Sequence, residues 1–251
     1  MDRVHSYAAL DEIHAVDLDA IQDNAFGLAQ ASGGFVGSHP YLFNDGSDLL
    51  VVGPFGKLPI GTAAPISQSS SVPVAMSGLS SSTWYYLYVR NVSGSPAYDY
   101  DTNGPDSTLT FKSGDATRVY IGCFLALTST TCSAFRMKHR RYWYRNYTSG
   151  HQLMSGSAPT SVTTMAASQI AVNAPPHCRH IELESDFVHS GAANLFYYVK
   201  GDTHESMKFS VDANVKSINI FYQELDESDG EFQYGASGAG TLTISCVGFM
   251  E

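Results

Sequence analysis

From Phe35 onward the chain is cut into short segments in which apolar and polar residues take turns, and a two-residue period of that kind fits pleated strands. His180-Ile181-Glu182-Leu183-Glu184 alternates strictly, as do Met207-Lys208-Phe209-Ser210-Val211 and Ser217-Ile218-Asn219-Ile220. Thr241-Leu242-Thr243-Ile244-Ser245-Cys246-Val247 closes the series. One face of each strand is apolar and the other polar, which predicts antiparallel sheets with one side in water. Upstream, Trp84-Tyr85-Tyr86-Leu87-Tyr88-Val89 is dense in aromatic and β-branched residues, and residues 118–127 form the near-continuous apolar run of a central strand. Residues 140–147 are a third strand candidate. Asp45-Gly46, Ser93-Gly94-Ser95-Pro96, Asn103-Gly104-Pro105, Ser113-Gly114-Asp115 and Asp229-Gly230 supply turns between them. Strands about ten residues apart predict a sandwich or jelly roll. The lack of a fixed-period repeat argues against a propeller or a parallel β-helix.

Before Phe35 the period changes. Leu10, Ile13, Leu18, Ile21 and Leu28 fall on or near a 3.6-residue repeat with acids between them, which predicts one short amphipathic helix ended by Gly33-Gly34. Such a helix has little core of its own to lie on. Leu10, Ile13, Leu18 and Ile21 are therefore expected to dock on a partner or bundle with copies of the same chain. A Ser-, Gly-, Thr- and Pro-rich stretch over residues 148–164 reads as a connector. The expected fold class is mainly β: two antiparallel, jelly-roll-like β-sandwich domains preceded by a short helix. The docking arm would span residues 1–33, the first β domain 34–149 and the second 150–251.

Composition narrows the function classes. Hydrophobic residues reach 43% and aromatics 12%, enough apolar surface for packed cores and too much for a disordered chain. Lys and Arg total 14 against 24 Asp and Glu, a formal charge of -10 that repels phosphate backbones, so nucleic acid is not an expected partner. The positive charge is clustered: Arg118, Arg136, Lys138, Arg140, Arg141 and Arg145 hold six of the 14 basic residues, while residues 224–231 are acidic. These stretches read as solvated faces, as complementary surfaces meeting between subunits or with a neighbouring protein, or, third, as nucleic-acid contact by the basic, aromatic stretch. No segment approaches the roughly 18 apolar residues of a membrane span, and acids occupy the place of a signal peptide's apolar run. Synthesis in a cytosol without a membrane partner is expected. Cys123, Cys132, Cys178 and Cys246 show no C-x-x-C pairing and read as buried thiols.

Four patterns invite chemistry. Asp99-Tyr100-Asp101-Thr102-Asn103-Gly104 matches the first half of a calcium loop, but Thr110 stands where a bidentate Glu should close the cage. The plain reading is a β-turn. His177, Cys178 and His180 lack the second ligand pair of a structural zinc site. No strand-to-helix elbow presents a nucleophilic serine, and no pair of carboxylates is singled out, so neither an enzyme nor a cofactor is expected. Arg141, Tyr142, Trp143 and Tyr144 are the candidate glycan contacts, because aromatic faces stack on sugar rings and guanidinium forks hold carboxylates. At period two, about half of those side chains belong to a core.

Several segments resemble virion-surface proteins of tailed bacteriophages. The residues that carry the resemblance are Thr83-Trp84-Tyr85-Tyr86-Leu87-Tyr88-Val89, the turn Asn103-Gly104-Pro105, and Arg118 with Tyr120-Ile121-Gly122 and Phe124. A Ser/Thr-rich hairpin at residues 128–133, a strand between Phe135 and Tyr144, and the late Val247-Gly248-Phe249 add to it. It covers residues 80–147 well and the rest loosely. It implies a head spike, capsid decoration or tail-fibre subunit on the virion surface, commonly a homotrimer. Its N-terminal part would be fixed to the particle, on capsid or tail components, and its distal β domains would face outward; host-surface glycan is a separate expected partner. A carbohydrate-binding module is the alternative, and a glycan-cleaving enzyme the third reading.

Overall fold

The computed structural model describes residues 40–145, 151–212 and 216–251. The predicted docking helix, with Leu10, Ile13, Leu18 and Ile21, lies outside the described residues.

The protein is mainly β, built from several antiparallel sheets. In chain order its first strands are β1 (Leu42–Asn44), β2 (Leu49–Val52), β3 (Phe55–Ile60), β4 (Ala63–Gln68) and β5 (Val72–Ala75). Next come β6 (Thr83–Val92), β7 (Ser95–Asp101), β8 (Phe111–Lys112), β9 (Asp115–Ala126), β10 (Phe135–Lys138) and β11 (Arg141–Tyr144). After residue 150 follow β12 (Gln152–Ser157), β13 (Thr163–Met165), the single-turn helix α1 (Ala167–Ile170), β14 (His180–His189), β15 (Ala193–Val199) and β16 (Met207–Val211). The last three strands are β17 (Lys216–Glu224), β18 (Phe232–Ala236) and β19 (Gly240–Met250).

One nine-stranded sheet runs through the molecule in the order β17-β14-β19-β11-β10-β1-β2-β5, with β12 also on β19. It draws strands from both sides of residue 150, joined where Arg141, Tyr142 and Trp143 pair with Met250, Phe249 and Gly248. Two four-stranded sheets pack on its apolar side. Sheet β7-β6-β9-β8 lies over the β1, β10 and β11 part: a Cβ on Gly122 would strike the Tyr142 hydroxyl at 2.5 Å and Leu42 at 2.7 Å. Sheet β13-β18-β15-β16 lies over the β14 and β17 part, where Tyr197 packs 4.5 Å from Phe221 and bonds the Ser185 hydroxyl at 2.8 Å. Strands β3 and β4 form a separate two-stranded sheet, and buried side chains of all four sheets form a continuous hydrophobic cluster.

The run read as a central strand is β9, with β6 on one side and β8 on the other; Val119 to Ala126 are apolar apart from Gly122 and all buried. The stretch read as a connector behaves differently. Residues 152–157 pair with β19 from Gln152↔Ser245 to Ser157↔Thr241, and residues 163–165 pair with β18. Small hydroxylated side chains fit this mostly exposed strand because little of it must enter a core.

β10 and β11 form a tight hairpin in which Lys138 faces Arg141 across the two-residue turn His139-Arg140. Both turn residues take positive φ, 52° and 63°, as the twist of a two-residue hairpin demands. The alternation beyond that turn decides which side each β11 residue faces. Tyr142 and Tyr144 are buried, while Arg141 and Trp143 point to the other side of the large sheet.

Candidate functional site

The outward side of the large sheet carries a row of paired residues across six strands. Tyr222 faces Glu182, Glu182 faces Gly248, Gly248 faces Trp143, Trp143 faces Arg136, and Arg136 faces Phe43. Gly248 leaves the gap that lets the row close up: a Cβ there would meet the Tyr142 carbonyl oxygen at 2.2 Å and Glu182 Oε2 at 3.2 Å. The Arg141 guanidinium lies 4.6 Å from the Trp143 ring and 4.7 Å from the Tyr222 ring. Its Nη2 donates to Glu182 Oε1 at 3.0 Å. The Phe43 ring lies between Arg136 and Arg145, at 5.7 and 5.2 Å.

Each stacked cation contributes about 0.5–1 kcal/mol at partly exposed sites, and the shared guanidinium fixes the two rings relative to each other. The flanking groove, about 190 Å³, is lined by Tyr41, Phe43, Arg136, Lys138 and Trp143 among others. Glu182 is nearly buried; among the described residues its Oε2 and the Arg141 Nε have no hydrogen-bond partner. Burial and the Glu182 charge push the Tyr222 phenol up to about 12, so it stays a neutral donor. Half-buried aromatic faces, fixed guanidinium groups and a held carboxylate together offer stacking, ionic and hydrogen-bonding contacts to a polar ring.

Of the four residues singled out by sequence, Arg141 and Trp143 belong to this face. Tyr142 and Tyr144 do not. The Tyr142 ring stacks on Phe249 at 4.2 Å and its hydroxyl accepts the Cys123 N–H at 2.8 Å. The Tyr144 hydroxyl donates to the Asn173 carbonyl inside the core. Phe43, Arg136, Glu182 and Tyr222 are the members that sequence reading missed, because only strand order brings residues 43, 143, 182 and 222 into one line.

The other patterns have structural partners. Asp101 pairs with Lys112 and accepts the Asn103 N–H, while Asp99 pairs with Arg118 at 2.9 Å. Cys178 is buried and its thiol donates to the His180 carbonyl at 2.9 Å. Among the described residues no group of three His, Cys, Asp or Glu side chains is arranged to hold a metal ion.

A second polar cluster was not legible at all. The Glu251 side chain is fully buried, and its Oε1 accepts from His177 Nε2 at 2.9 Å, the Cys123 thiol at 3.1 Å and the Tyr120 hydroxyl. Its Oε2 is buried and has no partner among the described residues. Burial, then the neighbouring acidic groups, push the Cys123 thiol and Tyr120 phenol well up, so both remain protonated donors. His177 sits between the Tyr86 and Tyr120 rings, at 5.4 and 6.0 Å, on the wall of a cleft of about 750 Å³. The loops that carry Asp106 and Asp226 line the same cleft. The sequence separations involved, 74, 128 and 131 residues, exceed anything a local motif can encode.

No protein-family model matches this chain, and no curated protein matches it in sequence.

Proposed function

We propose that this chain is a non-enzymatic structural protein of the surface of a phage-like particle, a head spike, decoration or fibre subunit that contacts host-surface glycan. In this reading the body comprises two β-sandwich units sharing the long sheet. The first 33 residues, with Leu10, Ile13, Leu18 and Ile21, dock a homo-oligomer on capsid or tail components. The particle assignment is supported by the resemblance across residues 80–147.

The glycan assignment is supported by one observation above others: the stacked row Tyr222, Arg141 and Trp143, clamped by Glu182 on the outward side of the sheet. A sugar ring lies flat on an indole, and guanidinium groups beside it favour acidic sugars. Screening purified protein on an array that includes acidic bacterial glycans is the test. Binding to a subset is expected, with Trp143→Ala weakening it about tenfold or more while circular dichroism stays unchanged. Lack of binding to every glycan would remove the attachment role, and an absence of the protein from purified particles would remove the structural one.

A free carbohydrate-binding module uses the same face and is favoured by the same row. The two readings part on the N-terminal arm. Co-sedimentation of the full chain with particles, lost on removal of residues 1–33, supports the particle protein; a chain that stays in the supernatant supports the module.

A further inference from the structure

We infer that β17 is a self-complementary edge through which two copies of this chain pair, in antiparallel register centred on Ile220. β17 is the last strand of the large sheet and pairs only with β14 among the described residues. Its direction of hydrogen bonding can be read from the neighbouring residue. The Leu225 N–H donates to the Arg179 carbonyl at 2.9 Å, one position beyond the Glu224↔His180 pair of an unshifted ladder. In an antiparallel ladder alternate residues turn their N–H and C=O toward the partner. The odd-numbered residues of β17 therefore bond β14, and Lys216, Ile218, Ile220, Tyr222 and Glu224 aim theirs at the free edge.

These same five residues put their side chains on the outward side, where Ile218, Ile220 and Tyr222 are 56%, 57% and 36% exposed. A nine-residue strand with three exposed apolar side chains lacks the usual protection of an edge. The opposite edge of the sheet is protected: β5 has four residues, and one is Pro73.

Charge and shape then select the occupant. A two-fold axis through the Ile220 pair sets Ile220 against Ile220, Ile218 against Tyr222, and Lys216 against Glu224, each contact occurring twice except the central one. Every one of those pairs joins residues whose backbone groups point outward, so the register satisfies hydrogen bonding, apolar matching and charge together. Lys216 already bonds Asp186 at 2.7 Å, and with its side chain 56% exposed it can also meet a second carboxylate. A second copy brings Lys and Glu at the required positions by symmetry. Such a pair is two-fold, unlike the three-fold assembly implied by the resemblance, and it sets two Trp143 rows on one continuous face. The inference does not depend on the glycan reading.

Light scattering on the full chain, combined with cysteine cross-linking, tests it. The native protein is expected to run as a dimer. Ile220→Cys is expected to form a covalent dimer on mild oxidation, because facing Cα atoms of a hydrogen-bonded pair lie about 5.5 Å apart. Ile218→Cys faces Tyr222 and should not cross-link. Glu224→Lys puts like charges opposite and should raise the dissociation constant about tenfold, with Lys216→Glu in the same chain restoring it. A native monomer, a stable trimer unaffected by Glu224→Lys, or equal cross-linking at 218 and 220 would each overturn the pairing. So would protection of the β17 amides in a monomer by residues 1–39 of the same chain.

Discussion

The Glu182 and Glu251 carboxylates have different partners and opposite roles. Glu182 lies on the outward side of the large sheet with Arg141 between two aromatic rings. Glu251 lies fully buried among a phenol, a thiol and an imidazole. At the first site the cation is part of the surface and strand pairing sets every distance. At the second the donors come from β9 and from the turn before β14, and the carboxylate ties them to the end of the large sheet. A charge shared with rings at the surface shapes a face; a charge enclosed by donors fastens sheets together.

That contrast breaks most visibly by truncation. Glu251→Ala leaves two buried donors, Tyr120 and Cys123, and the half-buried His177 unpaired, and is expected to cost about 3 kcal/mol in denaturant unfolding. Glu182→Ala, at a partly solvated pair, should cost about 1 kcal/mol and mainly loosen Arg141. Equal losses at the two sites would refute the distinction.

Acid should separate core from surface next. Burial holds the His151 imidazole below its usual 6.5, with its ring 4.2 Å from Tyr144 and its Nδ1 without a partner among the described residues. The unfolded chain takes up that proton first, so stability should fall as pH drops through 6.5. Asp101, held below 3.8 by the Asn103 N–H and Lys112, and Asp226, held there by Ser228, contribute stability above 3.8. That contribution is lost as pH falls further. His151→Phe should flatten the upper step of a stability-against-pH curve and leave the lower one; persistence of the upper step would assign it elsewhere.

The smallest effect belongs to the hairpin that aims β11. His139 holds φ 52° without being glycine, so His139→Gly should stabilise the protein by up to about 1 kcal/mol in thermal melts. A destabilisation would mean that the His139 side chain holds the turn.

Much of the fold was legible because period-two alternation is a local signal. His180 to Glu184 falls in β14, Met207 to Val211 is β16, and Thr241 to Val247 falls in β19. Gln152 to Ser157 was not legible as a strand, since its serines and glycine carry the composition of a loop and its pairing depends on β19. The site was half legible. Arg141 and Trp143 stood out by residue type, but that Tyr142 and Tyr144 turn inward follows from the register across the His139-Arg140 turn. Glu251 carried no local signal, and nothing in the sequence joined it to His177, Cys123 and Tyr120, because the contacts that unite them form only once the sheets have stacked.

The outward face can be tested with the protein's own fluorescence. The chain has two tryptophans; the indole N–H of Trp84 bonds the Ala171 carbonyl at 2.8 Å and its ring packs on Phe249, so Trp84→Phe leaves Trp143 as sole reporter. Titrating that variant with an acidic oligosaccharide taken from the array should change the Trp143 emission saturably, with the same midpoint as binding measured by calorimetry. Binding by calorimetry with the emission unaltered would place the ligand elsewhere and contradict the assignment of this face.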